Sequence, residues 1–236
     1  FFYMYIAPPM SHACSAVAVA AFLATWIVVR ERWSIGGCAA LGALAALLAM
    51  VREQDVFVAI APGLDWAWTL ARPQASRHPD LTSRRLLGGG TVFALAFGLC
   101  YLPQLAAYMT LNGYPGPSRL VARKMNWMAP HALGVLASPR HGLLAWTPLV
   151  LVALLGLVAA VRGGLHAADA LGRVRVFAPI VAASLLAAVG LQVFVAGSVE
   201  SWTVAGAFGQ RRLVGLSAII LVGLALFVGT TAFALA

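Results

Sequence analysis

Long apolar runs separated by short polar connections constrain the fold of this chain more than any other feature. A membrane-spanning helix needs about 20 apolar residues, and seven runs approach or reach that length. Hydrophobic residues make up 62% of the 236 residues and charged residues only 10%, whereas soluble domains carry about 25% charged residues. This balance excludes a soluble enzyme, a disordered chain and a free nucleic-acid-binding domain. The predicted transmembrane helices cover residues 13–29, 35–51, 56–71, 88–111, 142–161, 176–199 and 213–236.

These runs predict an all-α, polytopic integral membrane protein with about seven transmembrane helices, folded as a single domain over residues 1–236. The chain starts with Phe1 rather than Met, carries no basic signal-peptide region, and stops inside an apolar run at Ala236. We therefore expect it to be a fragment of a longer protein.

The sixteen basic residues predict the orientation of the helices. With seven spans, the connections alternate between the two sides of the membrane. Arg30, Arg32 and the connections 72–85 and 162–175 hold nine of the basic residues, and the other seven fall on the opposite side. Because cytoplasmic loops carry the excess of Lys and Arg, the first set is predicted to be cytoplasmic. The seven outward basic residues then need another role, such as binding an anionic partner.

The longest outward connection is the external loop 112–141, and it is predicted to hold a short interfacial helix. Within residues 118–129, Arg119 and Arg123 lie four positions apart and share one helix face. Apolar residues can form the other face, and Trp127 suits the membrane interface. This amphipathic pattern is typical of a helix that lies in the interface. The alternative is a solvated loop.

A polar apex formed by Arg52, Glu53, Gln54 and Asp55 separates the second and third runs. The two arms are short, each reaching about 25 Å as a helix against a hydrocarbon core of about 30 Å. Ionisable groups at that depth are costly in lipid, so they should face a cavity or each other. Arg52, Glu53 and Asp55 are therefore candidate site residues. The alternative is a plain hairpin turn with a mutual ion pair between the arginine and a carboxylate.

Two further outward segments combine basic and turn-forming residues. In residues 138–143, Arg140 and His141 lie between Pro139 and Gly142 at the start of the fifth run. The guanidinium group of arginine grips phosphate through a fork of N–H donors. The alternative is an arginine that extends to the interface beside an interfacial histidine.

The second of these segments begins at Glu200 and ends with the adjacent pair Arg211 and Arg212. Two neighbouring guanidinium groups at the entry of the seventh run suit an anionic headgroup, although ordinary interfacial anchors have the same composition. His12, at the outer end of the first run, is a weaker candidate because a lone histidine is more often structural. Asp65, beside Trp66 and Trp68, is interpreted as an acid at a helix end within an interfacial aromatic belt.

The order of these features resembles the GT-C superfamily of polytopic glycosyltransferases, in particular the bacterial relatives of protein O-mannosyltransferases and the lipid A aminoarabinose transferase. The matching pieces run along nearly the whole chain. They are Ser11-His12, the segment Met50 to Asp55, Ser138-Pro139-Arg140-His141-Gly142-Leu143 leading into Trp146-Thr147-Pro148, and Trp202 through Gly206, Phe208, Gly209, Gln210, Arg211 and Arg212.

The resemblance implies a polyprenyl-phosphate-linked sugar as donor, used on the outer face of a bacterial inner membrane, with transfer to a lipid, glycan or protein acceptor. The main catalytic acid of the family is expected upstream of Phe1, which leaves Glu53 and Asp55 a supporting catalytic role. The donor phosphate is then expected at the basic residues, and Glu200 is expected to orient hydroxyl groups. The expected substrate-binding residues are Arg52, Arg140, His141, Glu200, Arg211, Arg212 and His12.

The sequence also bears on the partners, the cofactors and the alternative function of the chain. Membrane lipids are expected partners and nucleic acid is not. The spacing of His, Cys and acidic residues predicts no metal site, and no cofactor is implied within the fragment. The alternative function is a multi-pass transporter or flippase for a lipid-linked or anionic solute. Transporters usually place substrate groups near the bilayer midplane and often contain internal repeats, whereas this sequence has no repeat and gathers its polar groups near one end of the spans.

Overall fold

The computed structural model describes residues 11–72, 81–128, 130–163, 166–168, 174–176, 178–203 and 209–234. The described chain is mainly helical. Two 3-10 helices, Glu53–Ala59 and Arg211–Leu216, precede α3 and α10, respectively. The α-helices are α1 His12–Val29, α2 Ile35–Val51, α3 Ile60–Ala71, α4 Ser83–Asn112, α5 Arg119–Arg123, α6 Ala132–Ala137, α7 Leu143–Trp146, α8 Leu149–Gly163, α9 Pro179–Ser198 and α10 Ser217–Ala234.

Four segments are long and apolar enough to cross a membrane: His12–Val29, Ser83–Asn112, Pro179–Ser198 and Arg211–Gly229. They correspond to the first, fourth, sixth and seventh predicted spans. The second predicted span, 35–51, has the same bounds as α2, which is apolar but shorter than these four helices. The helical class of the chain therefore agrees with the prediction. The described residues contain four helical segments of spanning length, fewer than the seven predicted spans.

Prolines explain the two predicted spans that differ most from the structure. The predicted span 142–161 is interrupted, because Pro148 disfavours helical geometry at Thr147 and cannot donate a backbone hydrogen bond. Thr147 has φ −138° and ψ 71°, and separates α7 from α8. The predicted span 56–71 starts as a 3-10 helix and becomes α-helical only at Ile60, which places Pro62 in the first turn of α3, where its missing N–H is tolerated.

The predicted interfacial helix over 118–129 is helical only over α5, Arg119–Arg123. The chain beyond α5 bonds instead to the C-terminal end of α9. The amide N–H of Asn126 donates to the carbonyl of Ser198 at 2.6 Å, and that of His131 donates to the carbonyl of Gly197 at 2.9 Å. The last carbonyl groups of a helix have no partner within it, so the loop satisfies the end of α9 rather than extending its own helix.

A short antiparallel ribbon lies in the connection between α8 and α9, where no strand was predicted. Its strands are β1, His166–Ala168, and β2, Val174–Val176, with His166 opposite Val176.

The helices differ strongly in burial. In α9, 61% of the 18-residue apolar stretch is buried inside the protein, whereas only 11% of the corresponding stretch of α4 is buried. The helix α4 packs on α2 and exposes large apolar side chains along its other face, such as Leu95, Leu99 and Met109. A continuous exposed apolar face of this kind is typical of contact with lipid or another protein.

Candidate functional site

The polar apex between α2 and α3 lies beside the start of α1 and the 3-10 helix Arg211–Leu216. These segments are far apart in sequence, yet they contact one another at one end of the bundle. The side chains of His12, Arg52 and Asp55 meet there with the segment that carries Arg211 and Arg212. We call this group, together with Ser15, the Asp55 cluster.

Asp55 is the buried centre of the cluster, with 1% of its surface exposed. Its carboxylate accepts a hydrogen bond from the hydroxyl of Ser15 at 2.5 Å. Its backbone N–H donates to the carbonyl of Arg52 at 2.8 Å, which holds the turn. Gly215 closes the other side, because a Cβ atom there would lie only 3.0 Å from both the Asp55 carboxylate and the Ser15 hydroxyl.

Arg52 acts on this carboxylate, and the charges of Arg211 and Arg212 lie close to Arg52; none of the three forms an ion pair among the described residues. The guanidinium group of Arg52 donates to Nδ1 of His12 at 3.3 Å, which requires a neutral imidazole at His12. Among the described residues, no carboxylate lies within ion-pair distance of Arg52, Arg211 or Arg212. The alternative of a mutual pair between Arg52 and a carboxylate of its own turn is therefore wrong.

The electrostatics of the cluster follow from this burial and crowding. Burial raises the pKa of the Asp55 carboxyl, and the Ser15 hydrogen bond and the charge of Arg52 offset only part of the rise. Burial also lowers the pKa of Arg52; the charge of Arg211 adds to this effect, while Asp55 opposes it. The site thus holds more positive than negative charge in a partly desolvated position, which favours an anionic ligand.

Two glutamines fix the backbone around the cluster. The side chain of Gln192, in the middle of the buried helix α9, donates to the carbonyl of Gln54 at 2.7 Å. The side chain of Gln54 in turn donates to the carbonyl of Arg212. The apex, α9 and the segment entering α10 are therefore joined by hydrogen bonds that do not use the charged groups.

The predicted residues Glu53 and Glu200 lie at the edge of the cluster. Glu53 is exposed and accepts a hydrogen bond from the hydroxyl of Tyr108 in α4. Glu200 is also exposed, and its backbone N–H donates to the carbonyl of Lys124 at 2.8 Å. The neighbouring Ser201 accepts from the Arg212 guanidinium group at 3.0 Å, so the Glu200 loop is attached to the cluster through Arg212.

The segment that carries Arg140 and His141 lies next to the entry of the last helix. His141 stacks on Trp146 with ring centroids 5.5 Å apart, and Trp146 lies against Gly209, which has φ 57°. This packing brings the two motif segments, 138–148 and 209–212, together. Arg140 itself is exposed, and the structure shows no contact from its side chain to the Asp55 cluster among the described residues.

Sequence reasoning missed Ser15, Tyr108, Gln192 and Gly215, all of which contact the predicted residues. Gln192 carried the clearest signal, since a glutamine in the middle of an apolar run needs a partner. Ser15 follows His12 by three positions and so shares its helix face. Tyr108 and Gly215 gave no such signal, because their role depends on how the helices pack.

The described residues contain no group of three or more His, Cys, Asp or Glu side chains arranged to hold a metal ion. Comparisons of the chain with protein-family models, with curated protein sequences and with solved structures found no match. The likeness to the GT-C superfamily therefore remains a prediction.

Proposed function

We propose that this chain is the membrane part of a glycosyltransferase that moves a sugar from a polyprenyl-phosphate donor to a lipid, glycan or protein acceptor. The observation that carries the proposal is the group of three arginines, Arg52, Arg211 and Arg212, which lie close to one another beside the buried Asp55 and form no ion pair among the described residues. Guanidinium groups without carboxylate partners suit a phosphate, which they can contact through several charge-assisted hydrogen bonds.

In this proposal the arginines neutralise the charge that develops on the departing phosphate. An acceptor hydroxyl oxygen forms a bond to the anomeric carbon as the bond from that carbon to the phosphate oxygen breaks. The electron pair leaves with the polyprenyl phosphate, and the hydroxyl proton passes to a carboxylate base. Asp55 and Glu53 have supporting roles, orienting hydroxyl groups beside the phosphate, while Arg140, His141, Glu200 and His12 extend the binding surface.

The proposed setting is a bacterial inner membrane, with the Asp55 cluster facing the periplasm. The proposal also includes a topology of seven spans. Four of them are the long helical segments described above, and the other three are α2, α8 and the segment 56–71. The segment around α5 then lies in the outer interface. Its exposed apolar side chains support this position, since Leu120 is 66% exposed and Met128 95% exposed.

One observation favours the transporter alternative. The segment 142–163 is broken at Thr147, and α10 is preceded by a 3-10 helix, whereas discontinuous helices often form substrate sites in transporters. Those sites lie near the bilayer midplane, however, and both interruptions here lie at the same end of the bundle as the Asp55 cluster. We therefore favour the transferase.

Binding of polyprenyl phosphate by the chain in lipid nanodiscs tests the phosphate assignment. The wild type should bind polyprenyl phosphate but bind the uncharged polyprenol more weakly. Arg211→Ala should weaken phosphate binding by about 10- to 100-fold, which corresponds to one charge-assisted hydrogen bond. Arg123→Ala, at an exposed arginine in α5, is the matched control and should bind like the wild type.

Equal binding by wild type and Arg211→Ala would overturn the phosphate site. A second measurement separates the two functions. The full-length protein that contains this chain, reconstituted in vesicles, should transfer a labelled sugar from a polyprenyl-phosphate donor, and flux of the donor across the vesicles without covalent transfer would support the flippase instead.

A further inference from the structure

An apolar groove lies between α2, α3 and α4, near the opposite end of α2 from Arg52. Its volume is about 500 Å³, and it opens on the outside of the bundle. Its walls are almost entirely apolar or aromatic, and its lining includes Trp33, Cys38, Leu41, Pro62, Trp66 and Phe93. An apolar groove on a face that would contact lipid suits a hydrocarbon chain.

Trp33 forms part of the groove wall, but its polar atom is buried behind that wall. The side chain is 3% exposed, and its indole N–H has no acceptor among the described residues. The backbone of Trp33 has φ 44°, a conformation that is unfavourable for a large side chain. The surface that the groove offers to a ligand is therefore apolar, which suits a hydrocarbon chain.

The same end of the bundle is positively charged. Arg32 adjoins Trp33, while Arg84 and Arg85 precede the groove-lining part of α4 by about one turn, and all three are exposed. Of the acidic side chains in the neighbouring described segments, Asp65 is already paired with Arg30, which leaves Glu31 as the counter-charge. The exposed surface beside the groove therefore carries net positive charge.

We infer that this groove binds one acyl chain of an anionic glycerophospholipid. The apolar groove holds the acyl chain, and the headgroup lies among Arg32, Arg84 and Arg85. Basic pockets between transmembrane helices commonly bind anionic headgroups in this way. This lipid site requires a membrane environment but not transferase activity, and it lies at the other end of α2 from the Asp55 cluster.

Filling the groove tests the acyl-chain site. Gly63 lines the groove, and a Cβ atom there would meet nothing within 4 Å, so Gly63→Leu should occupy the space without a clash. Gly98 in α4 has equally open surroundings and does not line the groove, which makes Gly98→Leu the matched control. Both substitutions replace a helical glycine by a better helix former.

Native mass spectrometry of the full chain, with added dioleoyl phosphatidylglycerol or dioleoyl phosphatidylcholine, gives the readout. The wild type and Gly98→Leu should retain phosphatidylglycerol in preference to phosphatidylcholine. Gly63→Leu should lose at least about 90% of this binding, since the chain it displaces supplies most of the buried apolar contact. Equal retention by the two leucine variants would overturn the site.

The headgroup assignment has its own test. Removing a basic group near an anionic lipid surface should weaken binding by about fivefold per arginine, so Arg84→Gln/Arg85→Gln should lose most of the preference for phosphatidylglycerol. The control pair, Arg119→Gln/Arg123→Gln in α5, should keep it. Three outcomes would contradict the inference: no lipid preference in the wild type, displacement of phosphatidylglycerol from the groove by polyprenyl phosphate, or a lipid-free dimer that Gly63→Leu dissociates.

Discussion

The two aspartates that are buried among the described residues lie near opposite ends of α1 and have opposite surroundings. Asp65 accepts hydrogen bonds from the Trp26 indole at 3.0 Å and from two nitrogen atoms of Arg30 at 2.8 and 3.1 Å. Asp55, equally buried, accepts a side-chain hydrogen bond from Ser15 and forms no ion pair among the described residues. Ser15 and Arg30 are separated by about 22 Å along the helix axis.

This difference distinguishes a structural charge from a candidate functional one. At Asp65 the carboxylate and the guanidinium group satisfy each other, so no room is left for a ligand. At Asp55 the neighbouring arginines donate to neutral groups, His12 and Ser201, rather than to a carboxylate, and burial raises the pKa of the carboxyl. Perturbed groups with unused charge partners are typical of functional sites. Substitutions at or next to the two aspartates should therefore have different effects.

The largest expected effect is on stability, at the paired aspartate. Asp65→Ala should lower the free energy of unfolding by about 3–5 kcal/mol, because it leaves the charge of Arg30 and the N–H of Trp26 without a partner. Thermal unfolding of the detergent-solubilised chain, followed by circular dichroism, measures this loss. The double variant Arg30→Met/Asp65→Leu should recover most of it, since replacing both charges by apolar groups is often neutral. A single variant as stable as the wild type would refute the structural role.

The next effect is on activity, at the unpaired aspartate. Asp55→Asn keeps an oxygen atom that can accept from Ser15 and removes the charge. We expect transfer from a polyprenyl-phosphate donor to fall by about 100-fold, because misplacing a reacting group by about 1 Å can cost that much. Unfolding of the same variant should show no loss of stability, in contrast to Asp65→Ala. Full activity in Asp55→Asn would remove Asp55 from the proposed site.

The raised pKa of Asp55 also determines how its contribution to stability changes with pH. A carboxyl with a higher pKa in the folded state binds its proton more tightly there, so its contribution to stability is present at low pH and is lost as pH rises through the folded pKa. At neutral pH, Asp55→Asn should therefore leave the protein as stable as the wild type or more stable. If Asp55 reacts as a carboxylate, the acid limb of the wild-type activity profile should lie above the ordinary aspartate range near pH 4.

The sequence predicts the apolar helices and the charged residues of this arrangement, but it does not predict how the helices pair. Apolar length alone predicted the bounds of α2 and nearly those of α1, and the scarcity of charge singled out Arg52, Asp55, Arg211 and Arg212, which the structure brings to one end of the bundle. The pairing of Asp65 with Arg30 was not predictable, because it depends on the register between α1 and α3. For the same reason, the sequence did not predict that Asp65 is buried inside the protein.

The smallest expected effect is at Gly215, the glycine that lies next to the carboxylate of Asp55. In Gly215→Ala the new methyl group would lie 3.0 Å from both the Asp55 carboxylate and the Ser15 hydroxyl, so one of these groups must shift. We expect about a tenfold loss of transfer, with a loss of stability of at most about 1–3 kcal/mol from overpacking. Gly190→Ala in α9 is the control, because a Cβ atom there meets nothing within 4 Å.

The pattern of these losses separates two explanations of the close approach at Gly215. If the glycine serves only the packing of α1 against the last helix, Gly215→Ala should lower stability and leave the transfer rate per folded molecule unchanged. If it holds the Ser15–Asp55 pair in position, the rate should fall in Gly215→Ala, but Gly215→Ala should cause no further fall when it is added to Asp55→Asn. Coupling of this kind is expected only between groups in direct contact, so additive effects would show that Gly215 acts independently of Asp55.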